Sequence, residues 1–412
     1  MLRKNVNYMS TFARMKRRNY RVWLVLLGPC LAGTLGGCSR VESKPDKDWN
    51  PKSATTYLEQ RETWWMSWSV AARDHDTFCI SCHTVLPYAL LRATNPAAFR
   101  ASSTQINEQR ILDNVAKRVR LWQEVSPYYT DRDDGAGKTA ESRGTEAVLN
   151  ALILASHDAA CGRLSADTRS AFANMWAQQQ TTGENRGAWS WLNFGNSPWE
   201  GASSQYFGAT LAALAAGTAP DNYRSTRDIQ ENLKLLHGYL SREYSRQPLS
   251  NRVLLLYAST KLPDLIKPEQ RDILIREVLR SQEEDGGWSL STLQRSWSGS
   301  SLWAYARSWV RKDGTLVERK SDGYATGLVV FVLHQVGIAG DNVQLARGLD
   351  WLEANQDKTD GSWPAYSLNK RRNPSSNIGH FMNDAATAYA ELALIQSGRR
   401  PSPAESALAE VR

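Results

Sequence analysis

From about residue 100 onward the chain alternates two kinds of segment, both with helical periodicity. One kind is amphipathic and ends in a Gln-rich corner: "SADTRSAFANMWAQQQ", "KPEQRDILIREVLRSQ" and "NVQLARGLDWLEANQ". The other is rich in small residues and apolar on every side: "GTEAVLNALILAS", "SQYFGATLAALAAG", "DGYATGLVVFVLHQVG" and "NDAATAYAELALIQSG". A helix with one polar face suits an outer layer, and an all-round apolar helix suits a buried inner one. Together they predict about a dozen helices with almost no strand-like alternation, an all-α chain.

The corners repeat. Three outer segments run into a Gly-x-Trp turn, "QQQTTGENRGAWSW", "QEEDGGWSL" and "QDKTDGSWPAYS", with Trp189, Trp288 and Trp363 in the shared position. An apolar segment follows each, after a longer insert in the second case. A recurrent element order signals repeat architecture even where the spacing varies. The glycine allows a positive φ where the helix ends. The Trp ring can then lie back over the exposed carbonyls.

Gln282-x3-Gly286-x-Trp288 resembles the QW motif of squalene–hopene cyclases and related triterpene cyclases. Gln356-x4-Gly361-x-Trp363 and Gln180-x6-Gly187-x-Trp189 are longer variants. The resemblance covers residues 105–398 and implies an α/α toroid, inner and outer rings of helices around a central cavity. In that family the QW turns are structural staples, so they do not transfer activity by themselves. The cyclases also carry a D-x-D-D acid. Here "TDRDDGAG" offers Asp131, Asp133 and Asp134, but it runs into the polar stretch "GAGKTAESRG", read as a loop, with the inner helix expected only near Thr145. Glu141 and Glu146 lie closer to where a cyclase acid would stand. The cluster reads as a solvated acidic loop.

The N-terminus changes the picture. Lys16-Arg17-Arg18 precede an apolar run from Val22 to Leu35, shorter than the ~20 residues of a membrane span. A basic region, a short apolar region and small residues describe an export signal. Its end, "LGGC", resembles a bacterial lipobox, which implies lipidation at Cys38. A lipidated Cys38 would anchor the chain to a membrane surface without crossing it, at the periplasm or cell surface. Residues 1–37 carry seven cationic and no acidic side chains, so removing them takes the formal charge from +8 to +1. The remaining chain is not basic, and nucleic acid is not an expected partner.

Export changes the meaning of "DTFCISCH". C-x-x-C-H in an exported protein points to covalent c-type haem. Two thiols, Cys79 and Cys82, add to the porphyrin vinyl groups, and the adjacent His83 is placed as the proximal iron ligand. A structural zinc site wants four ligands, and no second such pair exists. A thioredoxin-like pair wants a βαβ context that the helical flanks lack. For the sixth position Met382 is favoured over Met66, with an open site as the alternative. Lys370, Arg371 and Arg372 are candidate partners for the haem propionates, with a solvated basic loop as the other reading.

The expected organisation is a lipoprotein signal over 1–37, a linker over 38–52, a helical haem c segment over 53–100, the toroid over 101–398 and a disordered tail over 399–412. The expected function is an exported, lipid-anchored protein with one covalent haem c, acting in redox chemistry or electron transfer with a partner protein and with room for an apolar ligand in the toroid. Two readings stand beside it: a binding or scaffold protein with a structural or sensory haem, and a single-domain class II terpene cyclase. An enzyme of this kind would be a haem-dependent oxidoreductase rather than a cyclase.

Overall fold

The structure, a computed structural model, describes residues 49–94, 102–295 and 309–399. The expected signal, Cys38, part of the insert after Trp288 and the tail beyond Arg399 lie outside these residues. Twelve helices longer than two turns carry the architecture of the described residues. They are α1 (Pro51–Ser67), α2 (Val85–Thr94), α3 (Ser102–Arg120), α4 (Lys138–Cys161), α5 (Ala166–Ala177), α6 (Ser204–Thr218), α7 (Gln230–Glu243), α8 (Leu249–Lys261), α9 (Pro268–Arg280), α10 (Gly323–Gln335), α11 (Val343–Ala354) and α12 (Phe381–Gln396). The one sheet among the described residues is the hairpin of Ala72–Arg73 with Thr77–Phe78.

The even-numbered helices form an inner ring. In order, α2 packs on α4, α4 on α6, α6 on α8, α8 on α10, α10 on α12, and α12 closes back on α2. The odd-numbered helices lie outside: α3 and α5 against α4, α7 against α6, α9 against α8, α11 against α10 and α12, and α1 against α12. This is the α/α toroid expected from the alternation of polar-faced and apolar segments. The inner helices are apolar all round because they are covered on both sides and behind; α10 buries an unbroken run from Gly323 to Leu333.

The three corners share one construction. Each Trp is fully buried. Its indole Nε1 donates to a carbonyl near the end of the preceding outer helix: Trp189 to Met175 at 2.6 Å, Trp288 to Val278 at 2.9 Å and Trp363 to Leu352 at 2.8 Å. Those carbonyls belong to the last turn, where the regular i+4 donor is missing. A Gln amide then bridges the turn glycine to the next outer helix in the ring. Gln282 Nε2 donates to Gly286 O and Gln344 O, and Gln356 Nε2 to Gly361 O and Asn50 O. In the first corner the bridging residue is Gln179, not the expected Gln180: its amide reaches Gly187 O and Asn232 O. The insertion of residues in that turn shifted the apparent register by one. The glycines at 187, 286 and 361 have φ of +100°, +94° and +83°. A Cβ there would also lie 2.0–3.0 Å from the backbone around Leu235, Arg347 and Ser53 of the neighbouring outer helix. The corners therefore staple successive outer helices, and the third staples α11 to α1.

Two expectations need correction. Residue 100 is not a boundary between folding units: α1 is an outer helix and α2 an inner one, and this pair closes the ring. Trp49 Nε1 donates to Arg399 O, joining the two ends of the described chain. The buried stripe of α1 is Ala54, Tyr57, Leu58, Arg61, Glu62 and Trp65, at helical spacing. Two of these six are charged, which hides the stripe from a polarity pattern. The second correction concerns α4, which begins at Lys138 rather than near Thr145. Its polar first turn is helical because it docks the loop at Asn193: Lys138 Nζ donates to Asn193 O, and Asn193 N donates to Glu141.

Candidate functional site

The hairpin and the C-x-x-C-H turn form the entry into α2. His75 and Asp76 both take positive φ at the tip, and Thr77 N donates to Asp74 O, a tight turn of the kind that matches strand twist. Ser81 Oγ then accepts from the backbone N–H of Thr84 and Val85, which caps the start of α2. Neighbouring helices fix the turn from three sides. Trp65 of α1 donates to Cys79 O at 2.9 Å. Asn114 of α3 holds both backbone groups of Phe78. Arg118 of α3 donates to Thr77 and pairs with Glu146 of α4 inside the protein.

Cys79 and Cys82 are buried free thiols. Burial pushes Cys79 up to about 11 and Cys82 well above its usual value, so both stay protonated and are poor exchange nucleophiles. That is unlike a redox-active pair. Among the described residues no three His, Cys, Asp or Glu side chains converge where a metal ion could sit, so the motif is not a three-ligand cage.

His83 sits among aromatic rings. Phe381 stacks on it with centroids 3.9 Å apart, Trp65 meets it edge-on at 5.2 Å, and Trp199 lies 6.0 Å away. Trp199 in turn donates to the Tyr324 hydroxyl, and Tyr324 meets Tyr389 edge-on. His83, Tyr324 and Phe381 stand at the starts of α2, α10 and α12 and Trp199 in the loop before α6, with Trp65 from the end of α1 and Tyr389 from mid-α12, so the site lies at the end of the toroid where inner helices begin. His83 is pushed down to about 3 by burial first, then by the charges of Arg61 and Arg372. It is neutral at physiological pH.

The ring nitrogen Nδ1 lies 2.8 Å from Thr84 Oγ1. That hydroxyl donates to Asp384 Oδ2 at 2.7 Å. Asp384 also accepts from Tyr57 at 2.8 Å and from Arg61 through Nε at 2.7 Å and Nη2 at 3.0 Å. Burial pushes the Asp384 carboxyl up, and the hydrogen bonds and charge of Arg61 oppose that rise. Arg61 lies over the Trp64 ring and reaches Asn377 as well. Beside this network Glu62 is wholly buried, and neither of its oxygens has a protein partner. Burial pushes its carboxyl well above the usual range. Next to Trp199 in the chain, Glu200 is raised to about 7, again by burial, with Asn196 and Lys138 opposing.

Of the residues expected from sequence, Cys79, Cys82 and His83 are together. Met382 is buried in the first turn of α12, one residue past Phe381 and therefore ~100° around the helix from the ring that covers His83. Met66 packs partly buried against the core. Arg372 is exposed but close enough for its charge to act on His83. Asp131–Asp134 form a single exposed turn capped by Thr130. Asp131 is held below its usual value by hydrogen bonds from the backbone and side chain of Thr139. Thr84, Asp384, Arg61, Glu62 and Glu200 were not picked out in sequence. Asp384 carried a signal, since it is a charge inside a largely apolar buried helical run, "NDAATAYAELALIQ".

A c-type haem takes two thiols on one turn, an adjacent imidazole and an apolar surround. Two free thiols and an imidazole with an engaged Nδ1 form the donor set such a haem needs, and an aromatic wall surrounds them. The residues fit. Both thiols are at most 7% exposed, so a haem could reach them only before this layer closes.

No known family model matches the chain, and no curated protein does. Among solved structures, similar ones include a variant of a glycosidase, at 13% identity and TM-score 0.45 over 84% of this chain and 98% of that one. The type II terpene cyclase MstE from Scytonema, in its apo form, aligns at 11% identity and TM-score 0.41 over 84% of this chain and 99% of that one. The toroid is established by the chain's own closed ring of helices, independently of these likenesses.

Proposed function

We propose that this chain is an exported, lipid-anchored c-type haem protein that carries electrons or performs redox chemistry at the end of an α/α toroid where its inner helices begin. The observation that supports it is the joint placement of two free thiols and a neutral imidazole in one rigid turn. Cys79 and Cys82 would hold the porphyrin edge, and His83 Nε2 would ligate the iron. A bound haem supplies one-electron chemistry at the iron, with a potential set by its axial ligands and surroundings. The chain's own residues do the rest. Trp65, Phe381 and Trp199 exclude water, and Arg372 supplies positive charge for a propionate. Glu200, with an affinity near neutrality, can hold or release a proton beside Trp199. The wall of Trp199, Tyr324 and Tyr389 suits an apolar partner molecule.

The test is production with a c-type maturation system. Haem that stays on the chain in denaturing gels, and is lost in the double variant Cys79→Ala, Cys82→Ala, supports the reading. A colourless product of intact wild-type chain overturns it. Carbon monoxide added to the reduced protein separates an open sixth position from one held by Met382. Labelled palmitate incorporated by the wild type and not by Cys38→Ala tests the anchor.

A further inference from the structure

We propose that Thr84 and Asp384 are positioning residues that lock His83 in the tautomer with its proton on Nδ1 and its lone pair on Nε2; the consequence for haem ligation rests on the reading above. The hydrogen-bond directions carry the argument. Asp384 accepts from Tyr57, from two nitrogens of Arg61 and from Thr84; the Arg61 guanidinium meets both of its oxygens, a geometry that favours the carboxylate against the upward push of burial, and a carboxylate can only accept. The single hydroxyl proton of Thr84 is thereby committed to Asp384. Thr84 Oγ1 then has only lone pairs to offer His83, so Nδ1 at 2.8 Å is the donor. A neutral imidazole has one N–H, and its placement on Nδ1 leaves Nε2 unprotonated.

The repeat shows that this aspartate is not part of the scaffold. At the second corner Trp288 N donates to Thr326 Oγ1 and Leu290 N to Asp322. At the third, Trp363 N donates to Thr387 Oγ1 and Ala365 N to Asn383. Asn383 therefore stands where Asp322 does, and Asp384 stands where the second corner has Gly323. The scaffold position needs no side chain; the third corner puts a carboxylate there and aims it at Thr84. A carboxylate acting through a hydroxyl on the far nitrogen increases the electron donation of a ligating imidazole. The ferric state gains from that donation, so the relay lowers the reduction potential.

The experiment compares wild type, Thr84→Val and Thr84→Ser. In haem-free protein the ring 15N shifts of His83 separate a protonated from an unprotonated nitrogen. Wild type and Thr84→Ser are expected to show Nδ1–H alone, and Thr84→Val a mixture of tautomers or Nε2–H. In haem-loaded protein the midpoint potential is expected to rise in Thr84→Val and return in Thr84→Ser. A Thr84→Val protein that folds and keeps pure Nδ1–H overturns the proposal, whether or not haem attaches. A tautomer that responds in a chain that never takes haem supports the relay and removes the haem reading instead. If Thr84→Val does not fold, Asp384→Asn read by the same shifts decides the matter.

Discussion

The corners at Trp288 and Trp363 are built alike and used differently. Both bury the indole, both donate to a last-turn carbonyl, and both tie the turn to the next inner helix through a threonine. At the second corner the neighbouring carboxylate, Asp322, accepts from two backbone N–H groups, those of Leu290 and Ala325. At the third corner Asp384 accepts only from side chains, those of Tyr57, Arg61 and Thr84. A carboxylate bound to backbone secures a helix start. One bound to side chains from other elements gathers a site, and it needs a buried counter-charge to exist. The contrast separates stapling from chemistry within one repeat.

Removing the shared part has the largest effect. Trp288→Ala leaves a cavity and removes one donor from the Val278 carbonyl, and chemical denaturation is expected to show a loss of about 3–5 kcal/mol. Trp363→Ala is expected to match it; a loss below about 1 kcal/mol in either would show that the corners are not equivalent staples. The distinguishing part comes next. Asp384→Ala strands the Arg61 guanidinium, whose side chain is 7% exposed, and is expected to cost about 3 kcal/mol. The reverse exchange, Gly323→Asp, has no room, since a Cβ there would lie 2.5 Å from Trp363 Cβ. It is expected to lower the melting temperature, and a neutral result would erase the distinction between the corners.

A smaller effect is read in pH. Burial raises Glu391 to about 8 and Glu200 and Asp322 to about 7. A folded-state value above the unfolded one, near 4.3 for a glutamate, means that the native chain holds extra protons. Stability from this source is complete below about pH 4 and is lost as pH rises toward about 8. Glu391→Gln is expected to remove about 4 kcal/mol of that fall between about pH 5 and 8, at ~1.4 kcal/mol per unit. An unchanged slope would show that Glu391 is solvated. The smallest effect belongs to the acidic turn: Asp133→Asn, on a side chain 70% exposed, is expected to leave melting temperature and haem content unchanged. A cyclised triterpene product that disappears in this variant would move the acid, and the function, to that turn.

Much of this was legible in the chain. The alternation of polar-faced and apolar segments follows from burial on one side or on all sides, so outer and inner rings were readable. The corner motifs and Cys79-x-x-Cys82-His83 are local, and local chemistry survives in sequence. What escaped depends on contacts across the ring. The α1 stripe was hidden because Arg61 and Glu62 occupy buried positions, which polarity alone assigns to solvent. The first corner was read one residue out, at Gln180 for Gln179, because only the carbonyls of Gly187 and Asn232 reveal which amide bridges them. The polar start of α4 looked like a loop because the partner that makes it helical, the loop at Asn193, lies 55 residues away in sequence from Lys138. Sequence by itself determined which residues are apolar, which turns need glycine and where the thiols and imidazole stand. Only the tertiary structure decided that Asp384 lies 300 residues from Thr84 in sequence and 2.7 Å from it in space. A hydrogen bond has no sequence signature when the fold, and not the chain, supplies the proximity.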